Sequence, residues 1–264
     1  MTQLATRTAL RALLQSLTLA AGLLLIAAPM NAATAGPLSF LSGGERVQGN
    51  GRIVKENRAP GRFTALATSV GGNVEIRMGA SESVSVESDD NIVPLIETVV
   101  EGETLRIRPV RKDLQLDTRN MKIVVQVRTL DKIAVAGAGS VDANQLRVES
   151  LKVNVGGSGS INLRDLQSES LTVALGGSGG LTASGNTERV QVSIGGSGRV
   201  QAEHLAARTV GVSIGGSGQA SVWATKSLNL SVAGSGDISY YGDPSVSKSI
   251  AGSGSIKRLG SAPQ

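Results

Sequence analysis

Residues 151–180 read LKVNVGGSGSINLRDLQSESLTVALGGSGG, and this stretch decides the fold. Leu151, Val153 and Val155 alternate with polar residues, a Gly-Ser-Gly step starts at Gly157, and Ile161 and Leu163 resume the alternation. Leu171, Val173 and Leu175 then begin the pattern again before Gly177. Period-two alternation on both sides of a glycine turn describes two half-buried strands joined at a sharp corner. Working outward, the glycine-small-glycine corner recurs at Gly137, Gly157, Gly177, Gly196, Gly216, Gly234 and Gly252, in steps of 18 to 20 residues. A unit of that length cannot bury its apolar face alone, so neighbouring units must stack. Leu146, Leu166 and Leu205, nine residues past their corners, supply a short third side. The pattern predicts an all-β chain: a parallel β-helix of about seven coils, its lumen filled by columns of Val, Ile and Leu. No helix is predicted beyond the N-terminal segment.

The corners explain why glycine is so abundant, at 34 residues. A sharp corner needs positive φ or close backbone approach, and glycine permits both without a steric penalty. Ser158, Ser178, Ser197, Ser217, Ser235 and Ser253 should form a ladder, with hydroxyls able to bond one another or the backbone. Ahead of the repeats, residues 63–78, 84–87, 95–100, 105–109 and 123–127 also alternate, with longer links between them. They are expected to cap or extend the N-terminal end, because an open stack leaves an unpaired edge. At the other end, Pro244, Pro263 and the polar tail 260–264 should discourage further pairing.

The first 35 residues read as a secretory signal. Arg7 and Arg11 form a basic start, residues 13–28 are apolar, and Ala33-Thr34-Ala35 fits a small-x-small cleavage site that leaves Gly36 first. A retained anchor is the rival reading, against which the short apolar core argues. Residues 36–61, with Arg46, Arg52, Lys55, Arg58 and the adjoining Arg62, read as a solvated, partly disordered basic lead-in rather than a polyanion-binding arm. The domain proper is placed at 62–259.

Composition excludes more than it suggests. With no cysteine there are no disulfides, thiol redox centres or thiolate metal sites. One histidine, His204, leaves little for a histidine metal centre. Five aromatics among 264 residues are too few for base-stacking platforms, so nucleic acid is not an expected partner. The glycine turns lack the Gly-Lys-Ser/Thr of a phosphate loop and the recurring aspartate of a calcium roll. Asp165, Glu169, Glu188 and Glu203 read as scattered over different offsets, with no acid pair recurring on one face. His204 reads as an exposed loop residue, and Asp89-Asp90-Asn91 as a capped turn rather than a cation site.

Two surface features remain. Trp223 and Tyr241 fall seven residues past successive corners, with Leu259 next, making an outward apolar strip that could stack sugar rings or meet a partner. Asn154, Ala174, Ser193, Ser213, Ser231 and Ser249, three residues before their corners, form a flat column of mostly small polar groups.

A resemblance then emerges from Phe63-Thr64-Ala65-Leu66, Gly72-Asn73-Val74, Ser88-Asp89-Asp90-Asn91, the Gly-Ser-Gly ladder, Gly236-Asp237-Ile238-Ser239-Tyr240-Tyr241-Gly242, and the segment 248–256. Together these resemble the head GIN domain of putative auto-transporter adhesins, a family of bacterial envelope proteins. The resemblance implies a β-helical exported domain with an adhesive role, located in the periplasm or at the cell surface, and supplies no catalytic residues. An autotransporter's C-terminal barrel is not expected here, since the ladder runs to within about ten residues of Gln264. The expected protein is non-enzymatic, without cofactor, metal or membrane span once the signal is removed. Its expected partner is an envelope glycan or a protein surface. The alternatives are a laterally assembling structural solenoid and a glycan-active β-helix enzyme.

Overall fold

A computed structural model describes residues 44–263; the signal segment and its cleavage site lie outside them. Each Gly-Ser-Gly corner ends one strand and starts the next. The alternation on either side then turns one edge of every coil inward. The repeats form β10 (Lys132–Val135), β11 (Ser140–Asn144), β12 (Arg147–Val155), β13 (Ser160–Leu175), β14 (Gly180–Ile194), β15 (Arg199–Ile214), β16 (Gln219–Gly234), β17 (Asp237–Tyr241), β18 (Ser245–Gly252) and β19 (Ser255–Gly260). Each pairs in parallel with the strand one coil away, giving a ladder of seven corners separated by six steps. The fold is a parallel β-solenoid.

Register locks the lumen into columns. Leu66, Ile133, Val153, Val173, Val192, Val212 and Leu230 sit one above the next, all of them buried. Burying each such side chain contributes about 1.5–3 kcal/mol against the entropy of ordering the chain. The third side is thinner, closed by Leu146, Leu166, Leu205 and Ala224.

The corners are held by backbone. A Cβ on Gly157 would stand 2.4 Å from the Gly137 carbonyl oxygen, and on Gly196 2.5 Å from that of Gly177. Among the seven corner glycines only Gly137, Gly234 and Gly252 have positive φ. Close approach, shared by all the inner corners, is therefore the common requirement. The Ser158 N–H donates to Gly137 O at 3.0 Å, and the Ser197 N–H to Gly177 O at 3.1 Å. The serine hydroxyls point to solvent. Among the described residues none bonds another, so the expected ladder runs through amides instead.

The N-terminal strands both extend and cap the stack. β3 (Ala65–Thr68) and β4 (Asn73–Met78) lie in parallel register beneath β10 and β11. Beneath them lie β7 (Thr104–Pro109) and β9 (Lys122–Val127), although these follow later in the chain. Layer order therefore departs from chain order, and the chain steps back over β3 to begin β10. Three antiparallel strands close this end: β2 (Ile53–Arg58), β5 (Ser83–Asp89) and β6 (Ile96–Glu101). Between β5 and β6 a single 3-10 turn, Val93–Leu95, buries Val93 and follows the buried Ile92.

The lead-in is not disordered over residues 46–58. β1 (Arg46–Gln48) pairs with β8 (Gln115–Asp117), and β2 pairs along its length with β5. Side-chain clasps draw this segment in. Arg58 donates to Ile96 O at 2.6 Å and Val93 O at 3.1 Å. Asp89 accepts from the Gly51 N–H and the Thr118 hydroxyl, both at 2.5 Å.

Candidate binding surface

Four outward features can carry chemistry, each positioned by the register of the coils. On the strands before the corners, Asn154, Ala174, Ser193, Ser213, Ser231 and Ser249 do stack in one column. Beside it Gln191, Gly211, Asn229 and Ser247 make a second column. Gly211 opens a shallow groove of about 480 Å³ there; a Cβ at that position would meet the Gln191 side chain at 2.3 Å.

On the strands after the corners a groove of about 840 Å³ is lined by Glu75, Arg77, Lys122, Asp142, Asn162 and Arg164 among others. Arg77 Nε donates to Glu75 Oε1 at 2.7 Å and Lys122 Nζ stands 3.5 Å from Glu75 Oε2. The hydrogen bond and charge of Arg77, then the hydrogen bond and charge of Lys122, hold the Glu75 carboxyl below the usual carboxylate range against the opposing effect of burial. Asn162 Nδ2 donates to Asp142 Oδ1 at 2.9 Å. Gln145 (φ 57°), at the rim, and Asp165 (φ 52°) occupy the left-handed region at equivalent offsets in successive coils; Gly185 (φ 124°) has the same offset one coil further on but, after a register shift, lies opposite Leu166. Sequence reading missed this second corner, eight residues past Gly137, Gly157 and Gly177.

The aromatic strip is two residues high. Trp223 pairs with Tyr241, but Gly260 rather than Leu259 lies opposite Tyr241, because the register shifts there. A Cβ on Gly260 would rest 3.8 Å from the Tyr241 ring, so the end of β19 lies against that ring. Both aromatics are half-buried. Leu259 is exposed beside them.

The acids are not scattered as expected. Glu149, Glu169 and Glu188 each lie eight residues before a corner glycine, and pairing of their flanking residues stacks them on successive coils. Arg208 and Lys226 continue the column. Arg208 Nη1 stands 3.7 Å from Glu188 Oε2. Counting back from each corner, rather than taking the acids singly, would have found it. Among the described residues no group of histidine and carboxylate side chains is arranged to hold a metal ion. His204 is exposed on β15 opposite Ser184. Asp89, Asp90 and Asn91 clasp residues 48–52, with Asn91 Nδ2 donating to Gln48 O at 2.8 Å.

The family model described as "Putative auto-transporter adhesin, head GIN domain" matches residues 62–244. The chain belongs to this family. The match stops before residues 248–256, yet β18 and β19 stack in register on β16 and β17 as a further coil. A crystal structure of a putative adhesin from Bacteroides fragilis NCTC 9343 is similar at TM-score 0.76 and 26% identity, covering 81% of this chain and 100% of that one. A putative lipid binding protein from Parabacteroides distasonis ATCC 8503 is similar at TM-score 0.69 and 28% identity, with 81% and 100% covered. A putative adhesin from Parabacteroides merdae ATCC 43184, at 20% identity and TM-score 0.62, shares the fold. No curated protein matches the sequence. Among the described residues of this head GIN domain, no helix is long and apolar enough to cross a membrane.

Proposed function

We propose that this head GIN domain is a non-enzymatic, exported binding module of the bacterial cell envelope that engages an envelope glycan or protein surface along the outside of its solenoid. The observation that carries the reading is the register-locked repetition of outward polar side chains. Asn154 to Ser249 recur once per coil, about 4.8 Å apart, so one contact chemistry is presented many times along a rigid rod. A ligand that itself repeats gains by engaging several coils at once. Trp223 and Tyr241, stacked on the strands after the corners, supply a separate apolar anchor, since aromatic faces stack on sugar rings.

Envelope polysaccharides immobilised on a glycan array test this with the mature chain. Binding weakened at least tenfold by Trp223→Ala is expected. Undiminished binding in that variant removes the aromatic anchor, and no binding to any glycan or envelope protein removes the reading. N-terminal sequencing of the fractionated protein should begin at Gly36.

The charged column favours a second reading, lateral assembly. A copy running antiparallel alongside would bring Arg208 and Lys226 to Glu188 and Glu169 of its neighbour, a self-complementary arrangement. Salt-sensitive association in sedimentation, lost in Arg208→Glu, with no glycan binding, would support this reading over the first.

A further inference from the structure

The lumen column that begins at Leu105 ends at Lys248. Lys248 stands over the buried Leu230 at a register filled by Val, Ile or Leu in every coil below. Its neighbours at inward registers, Val246 and Ile250, are 40% and 43% exposed, and every residue of β18 is exposed. Among the described residues β18 pairs only with β16 and β19 only with β17, so the outer edges of both strands present unpaired N–H and C=O groups. Arg258, the other cation at an inward register, is already engaged by Gly242 O at 2.9 Å and by Asp243. Lys248 has no carboxylate within ion-pair distance among the described residues.

We propose that this open coil is a docking site for an extended, acidic-apolar peptide strand of a partner protein, added in register as one more coil. The edge fixes the ligand's grammar. An apolar residue lies over Val246, a carboxylate over Lys248 and an apolar residue over Ile250, reading apolar-x-Asp/Glu-x-apolar. Main-chain hydrogen bonds give affinity in strand addition, and alternate side chains give selectivity. Two other occupants fit less well. A second copy meeting this end to end would set one Lys248 against the other. A bilayer would have to take unpaired strand edges into hydrocarbon, where no water satisfies them. The site is distinct from the outer faces on which the proposed binding function rests.

The test uses the mature chain and two synthetic octapeptides. One has the sequence of residues 245–252 with glutamate in place of Lys248, and the other keeps the lysine. Fluorescence anisotropy should show the glutamate peptide binding about fivefold tighter, the difference between an opposite-charge and a like-charge cross-strand pair. In Lys248→Glu, an exposed change that leaves the core untouched, the order of preference should reverse. Trp223→Ala should leave both affinities unchanged, which separates failure here from failure of the glycan reading. Equal binding of the two peptides, or no binding, overturns the proposal. So does a Lys248-dependent response to phosphatidylglycerol vesicles in the absence of peptide binding, and so does self-association that the glutamate peptide cannot compete.

Discussion

The two ends of the solenoid solve the same problem by opposite means. At the N-terminal end the lumen is roofed: Ile92, Val93 and Ile96 are buried, β2, β5 and β6 turn antiparallel, and Arg58 ties carbonyl groups that would otherwise face outward. At the C-terminal end of the described residues the columns stop, with Lys248 inside the register and Val246 and Ile250 each about two-fifths exposed. All six large apolar side chains exposed among the described residues sit on segments at or beside these two ends: Ile53, Val54, Val110, Val246, Ile250 and Leu259. A repeating stack makes every interior layer equivalent. Information about stopping, or about what comes next, is confined to the terminal layers.

Four experiments break or sharpen that comparison. The largest effect should come from an interior corner. Gly196→Val places a Cβ about 2.5 Å from the Gly177 carbonyl oxygen, and the backbone above or below must move. A loss of about 3 kcal/mol or more is expected by thermal or urea unfolding, large enough to prevent folding altogether. Next, the same truncation separates middle from end. Ile194→Ala should cost about 2–5 kcal/mol, whereas Ile250→Ala, already 43% exposed, should cost less than about 1 kcal/mol. Equal costs would mean the open end is covered in solution.

The third experiment addresses the roofed end through pH. The Thr118 hydroxyl, then the Gly51 N–H, hold the Asp89 carboxyl below its ordinary value of 3.8. A depressed carboxylate contributes stability that is fully present above its unfolded value and is lost as pH falls through the lower folded value. Amide exchange in β2 should therefore accelerate as pH drops below about 3.8, relative to β13 and after correction for intrinsic rates. Asp89→Asn should flatten that dependence while weakening protection at neutral pH. The smallest effect should be that of Ser197→Ala, whose hydroxyl is solvent-exposed: within about 0.5 kcal/mol of wild type.

Much of this was legible in the sequence because the repeats state the same rule many times. The offsets of Val153, Val173 and Val192 from their corners give both the strands and the register in which they stack. The N-terminal layers were legible only as strands. Residues 79–103 and 110–121 interrupt the period, and nothing local in β7 or β9 says that they lie beneath β3 and β4 rather than above. The lead-in was misread for a related reason. Its charges suggested solvation, but Arg58 spends its guanidinium on carbonyl groups of the cap and Gly51 offers its N–H to Asp89, contacts that only the assembled end brings together. The surface was legible where it repeats small polar residues. It was missed where it repeats charge, as in Glu149, Glu169 and Glu188, and where a register shift intervenes, as between Tyr240 and Tyr241.

The absence of cysteine from the chain allows a direct measurement of the stacking itself. Ser193, Ser213 and Ser231 are exposed and lie on three successive coils. Adjacent Cα atoms about 4.8 Å apart suit a disulfide, and those about 9.6 Å apart do not. Under mild oxidation the pairs Ser193→Cys/Ser213→Cys and Ser213→Cys/Ser231→Cys should close within the molecule, and Ser193→Cys/Ser231→Cys should not. Efficient closure of the outer pair, or failure of both adjacent pairs, would contradict the coil-by-coil register on which the whole account stands.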